Sequence, residues 1–284
     1  MSVYLDANAS APLRPGVARV MAESLEAQAN AQSAHAPGQA ARTRVDAARR
    51  AVRELVGGDG DVVFTASGTE SIALAMLGSL ARRAPGHLVV GALEHSAVLD
   101  AAAELERRGW RVSRAGATAD GRVTADAVRS VLEPDTALVS LQHANNETGV
   151  VQPVAEIGAL AAAAGALFHV DAVQSAGKLR LDAPAWPAAL VSVAAHKLGG
   201  PAGVGALWKR RGLDLAPLVP GSQEQGWRGG TPNLPGIVGF HAALEGRDAA
   251  AEGRRARALR DLLEHTLAER VPLARVTGAR SERL

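Results

Sequence analysis

Short, continuously apolar runs rich in β-branched residues recur along the chain, separated by longer Ala-rich stretches. The runs are Val62–Thr65, Leu88–Gly91, Trp110–Ser113, Ala137–Gln142, Leu167–Val170, Leu190–Val193 and Val204–Trp208. Their length and unbroken apolarity predict strands buried on both faces. The stretches between them predict helices, among them Glu70–Arg83, Ala97–Arg108 and Val154–Ala164. Strand and helix in repeated alternation predict an α/β fold with a mainly parallel sheet. The last two runs differ: a loop carrying Lys197 joins them, with no helix between. Gly246 reads as a break before a long charged helix, about Ala249–Arg270. A short apolar piece, Leu273–Val276, follows, and this tail is too short to build a second core.

Composition narrows the class. The 284 residues can bury a large core, and 47% of them are hydrophobic while only 3% are aromatic, which suits small side chains packed closely on a sheet. The formal net charge is +2, without a basic block, so nucleic acid is not an expected partner. The densest charged run, Arg247 to Arg260, alternates with Ala, Glu and Asp and reads as a solvated helix face. No stretch has the length and apolarity of a membrane span, and the N-terminus lacks the pattern of a secretory leader. There is no cysteine, which excludes disulfides, thiolate metal sites and cysteine nucleophiles among these residues. A cytoplasmic enzyme is the expected class.

Polar clusters follow the apolar runs, and in open α/β sheets ligands gather beyond the carboxyl ends of strands. Ala66–Ser71, ASGTES, opens a helix. Gly68 and Thr69 with free helix N–H groups could cradle a phosphate, or Ser67 could be an ordinary helix cap. Glu94-His95 offers an imidazole that could stack on a flat ring or be a structural histidine. His143–Gly149, HANNETG, is either a turn or an amide facing a ligand. Asp171 ends one apolar run, with Gln174 three residues on, and Lys197 follows the next. A strand-end acid can cap a helix, and a surface lysine can snorkel. A carboxylate and an amine at neighbouring strand ends also suit a cofactor with a basic ring nitrogen and an aldehyde, and pyridoxal 5'-phosphate is that cofactor. The carboxylate would hold a proton on the ring nitrogen, and desolvation would free the amine for the aldehyde. Arg228–Asn233, RGGTPN, is a further small-residue hydroxyl loop that could reach a phosphate in its own or a partner's subunit.

These motifs in this order resemble one family. YLDANASAPLRP, SAHAPGQAARTRVDAAR, VVFTASGTESIALA, EHSAVL, HANNETGVVQPVAEIG, GALFHVDAVQSAGK, SVAAHKLGGPAGVGALW and QEQGWRGGTPNLPGIVG are similar to cysteine desulfurases of the NifS/IscS type, class V aminotransferases that use pyridoxal phosphate. The resemblance implies a fold type I, aspartate aminotransferase-like α/β architecture with a mainly parallel seven-stranded sheet flanked by helices. It implies a large cofactor domain over residues 13–248, and an incomplete small domain from 1–12 and 249–284. It implies conversion of L-cysteine, or a related amino acid, to L-alanine with sulfur transfer for iron–sulfur cluster or other cofactor assembly. The implied partners are a second copy in a homodimer and a sulfur acceptor or iron–sulfur scaffold protein.

Position by position, Lys197 matches the Schiff-base lysine and Asp171 the acid on the pyridine nitrogen. Gln174 matches the amide near the phenolic oxygen, His95 the ring-stacking histidine and Asn145 the asparagine beside the cofactor. Gly68, Thr69 and His196 match phosphate-side residues, and Thr231 a threonine reaching the partner subunit's phosphate. Lys197 and His95 are the expected catalytic residues; no metal is expected. Three departures stand out. Ala194 replaces a frequent serine at the phosphate, Asn30–His35 reads NAQSAH where a proline and second serine are usual, and the chain ends before the family's cysteine loop and substrate-carboxylate arginine. The expectation is a retained cofactor site without persulfide formation. Competing readings are another class V aminotransferase or lyase, a non-catalytic dimeric scaffold, and a metal hydrolase built on His95, His143, His169, Asp171 and His196.

Overall fold

In chain order, the computed structural model, which describes residues 3–27 and 29–284, begins with α1 (Val17–Glu26), α2 (Ala36–Val56), β1 (Gly60–Thr65) and α3 (Gly68–Ala73). A π turn at Leu74–Gly78 extends α3. Then follow β2 (His87–Gly91), α4 (Ser96–Arg107), β3 (Arg111–Ala115), α5 (Ala125–Arg129), β4 (Thr136–Gln142) and α6 (Val154–Ala163). The chain continues through β5 (Leu167–Asp171), β6 (Leu190–Ala194), β7 (Gly205–Arg210), α7 (Leu234–Leu244) and α8 (Ala249–Arg270). Met1 and Ser2 of the segment 1–12 lie outside the described residues.

The strands form one seven-stranded sheet in the order β1-β7-β6-β5-β4-β2-β3. Only β7 runs against its neighbours, β1 and β6. The missing helix explains this: a parallel return needs a crossover, whereas the loop from β6 to β7 merely reverses direction. All other strands therefore point their carboxyl ends at one edge.

Side-chain alternation divides the interior into two cores, one on each face. Val62, Phe64, Val139, Leu141, Phe168 and Val170 face α2, α6 and α7. Val63, Leu88, Val90, Leu138, Leu190 and Leu207 face α3, its π turn and α4. The α2 helix shows how the sequence sets this up. His35 Nδ1 accepts the Gly38 N–H at its start, and Gly57 ends it at φ 76°. Between them Ala41, Val45, Ala48, Val52 and Val56 recur at helical spacing and are buried.

Two sequence expectations need correction. The run at Trp110–Ser113 was expected to be buried on both faces, yet β3 is the sheet edge and is largely exposed; Arg111 pairs there with Glu133 and Asp135. The Arg247–Arg260 run is solvated only in part. Arg247 is largely buried and donates to the carbonyls of Gly177 (2.8 Å) and Leu198 (2.5 Å), bracing the Lys197 loop. The α8 helix itself buries no residue, and Leu259, Leu262 and Leu263 are 58%, 63% and 59% exposed. Beyond α8 the tail returns to the molecule: Val151 N–H donates to Glu282 O (2.8 Å) and Leu284 N–H to Gly149 O (2.9 Å).

Candidate active site

At the carboxyl edge of the sheet an open cavity is lined by residues at and after the ends of five strands. Ser67, Gly68 and Thr69 come from the β1–α3 segment, His95 from the loop after β2, Asn146 from the loop after β4, Asp171 from the end of β5, Gln174 from the loop after it, and His196 and Lys197 from the turn after β6.

The β1–α3 loop is a tight cradle. Ser67 Oγ caps α3 by accepting the Glu70 N–H at 3.0 Å, so the ordinary-cap reading holds for this serine. Thr69 is left to face the cavity. A Cβ on Gly68 would lie 3.0 Å from Val173 and 3.2 Å from Ala194, and one on Gly205 would lie 2.5 Å from the Ser67 carbonyl. The loop can approach β7 this closely only because Gly205 lacks a side chain, and Gly68 lets it settle against Val173 and Ala194.

Asp171 is buried and accepts the Val173 N–H on Oδ1 at 2.9 Å. Among the described residues no donor reaches its Oδ2. Burial raises its pKa above the usual carboxylate value, opposed by the Val173 hydrogen bond and the charges of His95 and Lys197. His95 heads α4, and its Nδ1 accepts the Ala97 N–H at 3.1 Å. That bond places the neutral ring's proton on Nε2, away from the helix. Lys197 ends a short 3₁₀ turn, and burial lowers its pKa, partly offset by Asp171, Asp6 and Glu147. Burial, then the Lys197 charge, lowers that of His196.

Not every expected residue lies at the cavity. Asn145 does not line it. Its Oδ1 accepts from Glu147 N, Thr148 N and Thr148 Oγ1 at 3.0, 2.8 and 3.1 Å, and its Nδ2 donates to Leu93 O, so its side chain ties the turn together. Its neighbour Asn146 faces the cavity instead. Ala194 is fully buried under Gly68 rather than facing the cavity. Thr231 lies in a separate exposed pocket with Glu224, Arg228 and Asn233. His143 and His169 are structural. His143 Nδ1 bonds the Ser175 hydroxyl (2.9 Å), and both His169 nitrogens bond serines, Ser140 (2.8 Å) and Ser192 (2.9 Å). Burial pulls their pKa values down to about 4 and about 3. The histidines of the metal-hydrolase reading are therefore dispersed, and among the described residues no group of three or more acids and histidines could hold a metal.

Three residues went unassigned in the sequence. Asn8, inside YLDANAS, accepts on its carbonyl from Lys197 Nζ (2.7 Å) and Gln174 Nε2 (3.1 Å). Lys178, closing the QSAGK motif, donates to Gln174 Oε1 at 3.2 Å, and burial with the nearby Lys197 and Arg247 charges lowers its pKa to about 8. Glu94 is buried behind His95. Its Oε1 accepts the Gln142 N–H at 2.9 Å, its Oε2 has no partner among the described residues, and burial raises its pKa well above normal.

The model for aminotransferase class-V proteins matches residues 3–283. The chain belongs to the class-V aminotransferase family. Within that family it is 45% identical to the cysteine desulfurase of Cereibacter sphaeroides over 99% of this chain and 74% of that protein. It is 43% identical to the cysteine desulfurase IscS of Anaeromyxobacter dehalogenans, over 99% of this chain and 72% of the relative. Among solved structures, SspA in complex with cysteine superposes with a TM-score of 0.86 at 34% identity, covering 93% of this chain and 78% of that one. A NifS-like protein from Rickettsia africae superposes at 0.89 with 26% identity, covering 100% and 79%. These class-V neighbours share fold type I, as the motif order implied. Among the described residues no helix is long and apolar enough to cross a membrane.

Proposed function

We propose that the cavity binds pyridoxal 5'-phosphate and that the chain carries the cofactor half of a cysteine desulfurase acting on L-cysteine or a related amino acid. The observation that carries this reading is the convergence of Thr69, His95, Asp171, Gln174 and Lys197, from separate loops, on one cavity. The residues fit the group. Asp171 offers a buried carboxyl oxygen without a donor, suited to a ring N–H. The small-residue cradle at Gly68 suits a phosphate, and Lys197 is an amine with a lowered pKa.

Bound there, pyridoxal phosphate supplies an electron sink for an amino acid that loses its Cα proton. The chain's own groups do the rest. Asp171 keeps a proton on the ring nitrogen, and His95, its Nδ1 tied to α4, presents a fixed ring surface. Gln174 offers an amide to the phenolic oxygen, while Gly68, Thr69 and His196 hold the phosphate. Lys197 would hold the cofactor and could accept and return a proton at the substrate's Cα, for which its lowered pKa suits it. No cysteine occurs in these 284 residues, so they supply no thiolate to take sulfur from a substrate.

The same reading assigns residues 13–248 to the cofactor domain, and 1–12 with 249–284 to part of a small domain. It also includes a cytoplasmic homodimer in which Thr231 reaches the partner's phosphate, and a sulfur-accepting or iron–sulfur scaffold partner. The test is to add pyridoxal phosphate, reduce with borohydride and map the adduct by peptide mass. A pyridoxyl group on Lys197, absent from Lys197→Ala, is expected; a wild-type chain labelled elsewhere or not at all overturns the assignment.

A further inference from the structure

The N-terminal segment meets two residues of the cavity wall, Lys197 and Gln174, and Asn8 is the residue that makes the contact. The Asn8 carbonyl accepts from Lys197 Nζ at 2.7 Å and from Gln174 Nε2 at 3.1 Å. These are the two donors that the cofactor reading assigns to the aldehyde and to the phenolic oxygen. The side chain anchors the segment from its other end. Asn8 Nδ2 donates to Asn146 O at 2.6 Å, and Asn8 Oδ1 accepts from Lys178 Nζ at 3.4 Å. One residue thus spans the loop after β4, the loop after β5 and the Lys197 turn. Around it the segment has little else to hold it. Val3, Tyr4 and Leu5 are 77%, 58% and 88% exposed, and the next anchor is the Ala11 N–H on His196 O at 2.9 Å.

We propose that Asn8 is a positioning residue that latches the N-terminal segment to Lys197 and Gln174, and that this latch must release before those two residues can engage the cofactor. The proposal rests on the assignment of those two residues to pyridoxal phosphate. The physical argument is competition for donors. An amine held by a peptide carbonyl is turned from the orientation it needs to meet an aldehyde, and Gln174, held through one of its two N–H groups, is fixed toward Asn8 in the same way. The strength of the latch resides in the side chain, because the carbonyl stays in place only while Asn146 and Lys178 hold Asn8. Removing the side chain therefore frees the two donors while leaving the backbone intact. Asn8 is exposed, and its loss opens no cavity in either core.

The experiment compares wild type with Asn8→Ala using two amine probes, pyridoxal phosphate with borohydride trapping and trinitrobenzenesulfonate, with the modified lysine located by peptide mass. Hydrogen exchange at Ala9–Ala11 follows the segment, and the melting temperature follows the fold. The expected result is labelling of Lys197 by both probes accelerated on the order of ten-fold in Asn8→Ala, as loss of two weak anchoring hydrogen bonds would allow. Faster exchange at Ala9–Ala11 and an unchanged melting temperature should accompany it. In wild type, saturation with pyridoxal phosphate should raise exchange at the same amides. Equal or slower labelling of Lys197 by trinitrobenzenesulfonate in Asn8→Ala overturns the latch. If that reagent reacts faster in the variant while pyridoxal phosphate labels Lys197 in neither protein, the latch stands as a gate on the amine and the cofactor assignment fails.

Discussion

Gly205→Ala tests whether close backbone approach, rather than side-chain chemistry alone, shapes the phosphate cradle. A methyl group at Gly205 would sit 2.5 Å from both the carbonyl carbon and oxygen of Ser67 and 2.9 Å from the Gly68 nitrogen. All three are backbone atoms, so no flexible side chain can swing aside. Restoring ordinary van der Waals separation requires the loop and strand to part by about 1 Å. Both are pinned. Gly205 sits between Thr65 of β1 and Ala194 of β6 in the sheet, Thr65 Oγ1 donates to Ser67 O at 2.8 Å, and Ser71 Oγ donates to Ala206 O at 2.9 Å. Overpacking of this kind costs about 1–3 kcal/mol. For a chain of this size about 2 kcal/mol corresponds to a fall in Tm of roughly 4–8 °C. Because the displaced atoms include the cradle itself, pyridoxal phosphate affinity should fall at least about tenfold, equivalent to roughly 1.4 kcal/mol. Tryptophan fluorescence follows the melt, and absorbance titration follows the cofactor. Gly116→Ala is the control, since nothing lies within 4 Å of its added Cβ. A Gly205→Ala protein that keeps both its Tm and its cofactor affinity would refute the reasoning.

Arg49 and Glu224 form a bidentate pair at 2.9 and 3.0 Å, and Glu224, 4% exposed at its side chain, also accepts the Phe64 N–H at 2.8 Å. Arg49→Ala strands that carboxylate and should destabilise by about 3–5 kcal/mol in urea unfolding, with partial recovery in Arg49→Met/Glu224→Leu. Burial raises the Glu94 pKa above its ordinary 4.5, so the folded chain keeps a proton that the unfolded chain releases. Stability should therefore fall as pH rises above about 4.5, and Glu94→Gln should flatten that slope and be the more stable protein at neutral pH in parallel melts. A Glu94→Gln curve parallel to wild type would contradict the buried, protonated state. Asp171→Asn keeps an acceptor for the Val173 N–H and removes a carboxyl that burial disfavours, so the cofactor-free Tm should hold or rise. Deuterium exchange at Cα of L-alanine in the presence of cofactor should nevertheless drop on the order of a hundredfold, measured by NMR.

Much of the molecule was legible in the residues. The β5 and β6 strands were visible as mainly apolar runs because both sheet faces are buried, and the polar residues they do carry, His169 and Ser192, are buried and hydrogen-bond each other. The α8 helix was visible at about its observed bounds, with Gly246 as the break before it, whereas the Asp248 cap on the Ala251 N–H emerged only from the structure. β3 misled because an edge strand can still carry apolar residues on its inner face. The exchange of Asn145 for Asn146 has a similar origin. Adjacent asparagines are equivalent in composition, and only the turn that consumes the Asn145 amide decides which one faces the cavity.

The sequence by itself determined the order of elements and the family, and nominated the residues of the site, because hydrophobic period, turn residues and strand-end motifs are local properties of the chain. The tertiary structure alone decided how those pieces meet. It reversed β7, set Gly205 against Ser67, moved Thr231 to a separate pocket and drew Asn8, Lys178 and Glu94 into contact with the site. Asn8 and Lys197 lie 189 positions apart, and no local pattern encodes their hydrogen bond. It exists because strands from distant parts of the chain end at one edge of a single sheet.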